Sequence, residues 1–220
     1  MLPRPRVLRP AGLIEPCLPT RAGTPPAGPG WLHEIKHDGF RVMVRREVGR
    51  VRVYTRHGND WSTRYPLIVN AVWSLRCRSC LIDGEVVVTD HKGLSDFELL
   101  RNRHHDHRAF LYAFDLVELD GRDLRGDPIE ARKNALAALL KGARPGLQLV
   151  EHMEEEGAAV FRHACLLGRE GIVSKRKGSK YRCGRSGGWI KSKNPGSPAV
   201  TREAAEEWGK PTVRVRKLVR

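Results

Sequence analysis

Residues Trp31–Thr55 read WLHEIKHDGFRVMVRREVGRVRVYT, and this stretch decides the fold class. Three short runs rich in alternating apolar and polar residues occur here: Trp31–Lys36, Arg41–Arg46 and Val51–Thr55. Alternation places one face of each run against a core, which predicts strands, and the Asp38-Gly39 pair and Gly49 supply the turns between them. Lys36 stands where the first strand enters its turn, with Glu34 and Arg41 close by. A half-buried lysine loses hydration of its charged form, so its amine is expected to titrate low and to be available as a nucleophile. Without its neighbours the same pattern describes a strand edge with surface ion pairs.

Downstream, Tyr65–Leu75 has helical spacing, and Cys80–Thr89 reads as a strand buried on both faces. Ser95 followed by Glu98 has capping-box spacing and predicts a helix over Ser95–Arg101. Phe110–Leu119 is an apolar strand closed by Asp120-Gly121. Pro128–Leu140 is an Ala/Leu helix that Gly142 ends, and Leu147–Val150 is strand-like. Glu154–Gly168 is expected to be helical, Gly171–Lys175 and Trp189–Lys193 to be strands, and Thr201–Trp208 a short helix. Strands and helices mix without regular βαβ alternation, so the expected class is α+β with antiparallel sheets. The Pro-, Gly- and Arg-rich residues 1–30 lack either period and are read as an extended strap.

The net charge of +15 implies a polyanionic partner. Residues 175–220 concentrate it, with fourteen Lys/Arg against three Glu. Hydrophobic residues at 40% and charged residues at 30% give the profile of a soluble globular chain. With no apolar run near the roughly 18 residues of a membrane span, and no secretory signal, a cytoplasmic location is expected, with no membrane partner. Five scattered cysteines form no disulfide framework. Cys77 and Cys80 make one CxxC without a second pair, and His104, His105 and His107 fit a solvated loop better than a zinc set.

Three further blocks accompany Lys36. Leu81-Ile82-Asp83-Gly84-Glu85 places a carboxylate straight after an expected glycine turn, and Glu170-Gly171-Ile172-Val173-Ser174-Lys175 repeats the arrangement with a second. Trp189-Ile190-Lys191-Ser192-Lys193 sets two lysines at i and i+2, on one face of a strand. Two such cations beside a nucleophilic lysine and two carboxylates suggest an anion clamp with metal help.

With the KxDGxR pattern at Lys36–Arg41, these blocks resemble the covalent nucleotidyltransferases: DNA ligases, RNA ligases and capping enzymes. The likeness spans about Pro16 to Lys193. Thr55-Arg56-His57-Gly58 and Tyr112-Ala113-Phe114-Asp115-Leu116 are most similar to ATP-dependent DNA ligases, above all the ligase domain of bacterial non-homologous end-joining ligases.

The resemblance implies an adenylation domain over residues 31–197 with the nucleotide held between two antiparallel sheets, and a basic tail over 198–220. It implies ATP as cofactor, with AMP carried covalently on Lys36, Mg²⁺ or Mn²⁺, and nicked or broken double-stranded DNA as partner, with other end-joining proteins. Glu34 and Ile35 would lie near the adenine, with the Glu34 acceptor meeting its exocyclic amine, and Phe114 would stack on the base. Arg41 and Arg56 would hold ribose and phosphate, with Arg185 a further nucleotide contact. Glu85 would bind ribose or metal and Glu170 the metal, while Lys191 and Lys193 would neutralise the α-phosphate. Asp115 is read as structural.

Full-length members of this group continue into an oligonucleotide-binding barrel. Only 27 residues follow Lys193, about half of what five short strands and their turns require. The expectation is that no such barrel is present in this chain, with the basic tail and its Arg214, Arg216, Lys217 and Arg220 contributing DNA affinity. Two alternatives stand beside the ligase: a nucleotide- or DNA-end-binding module needing a barrel in trans, and an RNA ligase or capping-type enzyme.

Overall fold

The computed structural model describes residues 12–202. Two sheets face each other. Sheet I has the order β1 (Cys17–Ala22), β11 (Gly184–Lys193), β10 (Gly171–Arg176), β2 (Trp31–Lys36) and β9 (His152–Met153). Sheet II has the order β4 (Arg50–Thr55), β3 (Phe40–Glu47), β5 (Cys80–Val87), β6 (Phe110–Leu119) and β7 (Arg122–Asp123), with β8 (Leu147–Leu149) also paired to β6. Sheet II is built from one continuous stretch of chain, whereas sheet I draws on segments before and after it. The α+β class holds. The pairs β1–β11 and β6–β8 are parallel, and the others are antiparallel.

Alternation in the sequence sorts side chains between two layers. Val42 and Val44 of β3, with Ile82 and Val86 of β5, join helix α1 (Pro66–Trp73) and Leu136 of α3 (Ile129–Leu140) in the larger core outside sheet II. Met43 and Leu81 point the other way and meet Leu32, Tyr181 and Trp189 between the sheets. Helix α4 (Gly157–Leu166) covers sheet I with Val160 and Ala164 on Ile172. That helix is shorter than the expected Glu154–Gly168. Helix α3 also turns two cations inwards, since Arg132 and Lys133 are both buried.

Three local expectations are revised. Asp96, and not Ser95, caps helix α2 (Phe97–Arg101), accepting from the amides of Glu98 at 2.9 Å and Leu99 at 3.2 Å. Its carboxylate satisfies two of the orphan donors of the first turn, while the Ser95 hydroxyl lies 3.4 Å from His37 Nδ1. The Pro- and Gly-rich segment before Trp31 contributes the edge strand β1, and β11 begins at Gly184, five residues before the expected start, because β1 pairs with its early half. Gly84 lies within β5, at a register shift against β6, and not in a turn. His104 and His105 precede the 3-10 turn Asp106–Arg108 and His107 lies within it, with His104 and His107 exposed. Residues 198–202 are helical, and the remainder of the stretch expected to be helical to Trp208, with the basic tail, lies outside the described residues.

Candidate active site

Between the sheets lies a cleft of about 480 Å³. Its wall on sheet I follows from strand register. Lys193, Gly171 and Lys36 stand in one cross-strand row, and Lys191, Val173 and Glu34 stand in the next row on the same face. Gly171 is required here: its φ is +140°, and a Cβ would lie 2.1 Å from the Ser192 carbonyl oxygen. Its missing side chain leaves space between the two lysines, and Glu170 bridges them. Glu170 Oε2 is 2.5 Å from Lys36 Nζ and Oε1 is 2.8 Å from Lys193 Nζ. On the opposite wall Arg41 and Glu85 are register partners. Gly39 allows the turn after Lys36 to press on β5, since a Cβ there would sit 2.1 Å from the Val86 carbonyl oxygen.

Of the residues singled out from the sequence, Glu34, Ile35, Lys36, Arg41, Arg56, Glu85, Phe114, Arg185 and Lys191 all border this cleft. Ile35 borders it while its side chain packs with the Val160 cluster under α4. Glu170 and Lys193 are not part of its lining. Glu170 instead faces a second hollow of about 250 Å³, on whose rim Lys36 and Asp38 also stand. Arg202 closes that hollow by donating to both Asp38 carboxylate oxygens, at 2.6 and 2.8 Å, with its guanidinium 4.1 Å from the centre of the Phe97 ring.

The protonation expected of Lys36 is overturned. Burial alone pulls its amine down, but the charges of Glu170 and Glu85 outweigh that and raise it above the ordinary lysine value. Glu85 is the complementary case, pushed up to about 7 by burial, with the neighbouring Glu170 charge adding to the shift.

Glu34 is buried, and both its oxygens are engaged, Oε1 by Lys133 at 2.6 Å and Oε2 by Lys175 at 2.8 Å. Burial opposes ionisation there, yet the two ammonium groups together hold the carboxyl below its usual range. The acceptor assigned to an adenine amine is thus already shared with two cations, each oxygen retaining a second lone pair. Lys175 in turn sits 4.6 Å from the Phe114 ring centre and 4.1 Å from that of Trp189. Phe114 is half-buried, with the Arg41 guanidinium 5.2 Å from its centroid.

Sequence reasoning missed Lys133, Lys175 and Asp83. Asp83, fully buried, accepts two bonds from Arg41 at 3.0 and 2.6 Å and one from the Tyr181 hydroxyl at 2.6 Å, so it aims Arg41 into the cleft. Alternation could have found Lys175, which shares a strand face with Val173. Nothing local marks Lys133, which reaches Glu34 across 99 positions. Asp115 is structural, as expected: Arg132 holds it with two bonds at 2.8 and 3.0 Å in full burial.

Over residues 25–193 the chain matches the profile of the ATP dependent DNA ligase domain. The chain belongs to that family. The multifunctional non-homologous end joining protein LigD of Pseudomonas aeruginosa is 41% identical over 184 residues, which are 82% of this chain and 22% of the relative. The LigD protein of Mycobacterium tuberculosis is 35% identical over 165 residues, 74% of this chain and again 22% of the relative. This ligase-domain chain therefore spans less than a quarter of those relatives' length. The crystal structure of the ligase domain from M. tuberculosis LigD matches with a TM-score of 0.71 at 32% identity, covering 82% of this chain and 60% of that one. A mycobacterial DNA ligase D complexed with ATP and MES gives the same TM-score at 33% identity and the same coverage. Strand β1 and Arg202 both fall outside the stretch that matches the family profile.

Proposed function

We propose that this ligase domain transfers AMP from ATP to Lys36 and then to a DNA 5′-phosphate, sealing nicks or breaks in double-stranded DNA during bacterial repair. The observation that carries the reading is the position of Lys36: its amine stands between the cleft and the Glu170 hollow, beside two carboxylates, with Lys191 on the same wall. The end-joining relatives and the ATP-bound neighbour support the choice of substrate, and the reading takes other end-joining proteins as partners and the cytosol as the location.

In the first step the Lys36 nitrogen forms a bond to the α-phosphorus while the bond from that phosphorus to the bridging oxygen of pyrophosphate breaks. The ammonium proton must leave beforehand, and Glu170 Oε2 is the acceptor in contact with it, at 2.5 Å. Lys191 faces the charge that builds on the phosphoryl oxygens, and Arg41, fixed by Asp83, presents a planar set of donors beside it. A DNA 5′-phosphate oxygen then attacks the same phosphorus and the Lys36 amine departs, regaining a proton. Finally a 3′-hydroxyl attacks the DNA 5′-phosphorus and AMP leaves.

The donor set fits a divalent cation. Glu85 and Glu170 offer two hard oxygen ligands, and burial, with the Glu170 charge adding to it, raises the Glu85 carboxyl. Among the described residues no group of three or more His, Cys, Asp or Glu is arranged to hold a metal alone. Mg²⁺ keeps waters and substrate phosphates as ligands, so that two protein carboxylates suffice to hold it. When bound there, such an ion would neutralise charge on the reacting phosphates.

Intact mass after incubation with ATP and Mg²⁺ tests the first step. An added AMP mass is expected in the wild type and none in Lys36→Ala. The absence of any adduct in protein first stripped with pyrophosphate would sink the reading.

A further inference from the structure

The mouth of the cleft carries a cation that no assigned role accounts for. Arg21 lies on β1, the edge strand of sheet I, and its Cα partner in the parallel ladder is Lys191. Paired residues of neighbouring strands project to the same side, about 4.8 Å apart. Arg21 is therefore carried to the same wall as Lys191, and both border the cleft.

Its electrostatic situation differs from that of the cations deeper in. Lys36, Arg41 and Lys175 are each neutralised by a carboxylate within 2.8 Å. Arg21 is exposed and makes no side-chain hydrogen bond or ion pair among the described residues, and the same holds for Arg56 and Arg185 at the same mouth. Three exposed guanidinium groups thus border the cleft with no side-chain acceptor among the described residues. Planar guanidinium donors match phosphate oxygens. A nucleotide whose α-phosphate meets Lys36 and Lys191 must send its remaining phosphates outwards, towards this opening.

We propose that Arg21 binds the β- and γ-phosphates of the nucleotide and holds the pyrophosphate that leaves, so that strand β1 forms part of the triphosphate site. The inference rests on the adenylation reading above and adds to it a residue outside the stretch that matches the family profile.

The test compares affinities for ATP and AMP in the full chain, by calorimetry in a Lys36→Ala background that stops turnover. Arg21→Gln is expected to weaken ATP binding about tenfold, the scale of one charge-assisted hydrogen bond, with AMP binding changed less than about twofold. Arg21→Lys should recover part of the loss. With Lys36 intact, Arg21→Gln should raise the KM for ATP, and the KM for pyrophosphate in the reverse reaction, while kcat changes little. AMP transfer from pre-adenylated enzyme to a nicked duplex should not change.

An ATP-to-AMP affinity ratio equal to that of the parent overturns the proposal, as does the absence of ATP binding in the Lys36→Ala parent. A defect confined to the DNA step also overturns it, because it would assign Arg21 to the DNA 5′-phosphate. The adenylation reading fails on a separate result, the absence of a Lys36 adduct in otherwise wild-type protein, while the affinity ratio still decides the role of Arg21.

Discussion

At the inner end of the cleft, Glu34, Lys133 and Lys175 are buried and satisfy one another at 2.6 and 2.8 Å. At the mouth, Arg21, Arg56 and Arg185 are exposed and have no side-chain partner among the described residues. The two ends treat the same kind of charge in opposite ways. A buried ion without a partner costs several kcal/mol, so the inner lysines must be compensated within the protein. An exposed guanidinium keeps its water and can wait for a ligand. The inner end is thereby part of the fold, and the mouth is available to an anion.

The contrast breaks most visibly at Glu34. Glu34→Ala removes the carboxylate between two buried ammonium groups, and a loss of about 3–5 kcal/mol is expected, read from urea unfolding. A loss below about 1 kcal/mol would mean that water reaches both lysines and that the inner end resembles the mouth.

A smaller effect belongs to His37, which stacks on Tyr112 at 3.7 Å with the rings 10° apart. Burial, aided by the Arg169 and Lys36 charges, lowers its pKa from 6.5 to about 3. Below pH 6.5 the unfolded chain takes up a proton that the folded chain refuses until about pH 3, so stability falls as pH drops through that window. The slope is about 1.4 kcal/mol per pH unit, or about 2 kcal/mol between pH 7 and pH 5. His37→Gln should flatten the stability curve over this range, and an unaltered slope would show that His37 is hydrated.

The smallest stability effect is expected at the mouth. Arg56→Gln and Arg185→Gln should each leave unfolding free energy within about 0.5 kcal/mol of wild type, while weakening ATP binding several-fold. Destabilisation comparable to that of Glu34→Ala would erase the distinction between the two ends.

Much of this was legible in the chain, for identifiable reasons. The central strands announce themselves because each has one face in the larger core and the other in the layer between the sheets, which writes alternation into Val42, Met43 and Val44. Lys36, Glu85 and Lys191 stand in short motifs whose residues are neighbours in sequence as well as in space. What was illegible depends on distant pairing. Strand β1 has weak strand propensity, with Pro19 inside it, and owes its existence to β11, more than 160 positions away. Lys133 looks like an ordinary polar helix residue until α3 is laid on β6 and turned towards Glu34. Lys191 and Lys193 do share a face, but the alternation that shows this says nothing of Glu170, which occupies Lys193. The protonation of Lys36 failed for the same reason: burial is readable from a strand pattern, and the identity of the opposing carboxylates is not.

Sheet II runs from Phe40 to Leu149 without interruption, while sheet I is assembled from residues 17–36 and 152–193. During synthesis the larger core can form as soon as its own segment has emerged. Strand β1, made before sheet II, must wait for β11, its one partner in the sheet among the described residues. The wall that brings Arg21 beside Lys191 is therefore finished last. A nascent or prematurely ended chain lacking residues from 184 onward would retain a folded half with Arg41 and Glu85 in place, yet have no completed phosphate wall. Competence to bind the triphosphate would then report that translation had passed β11.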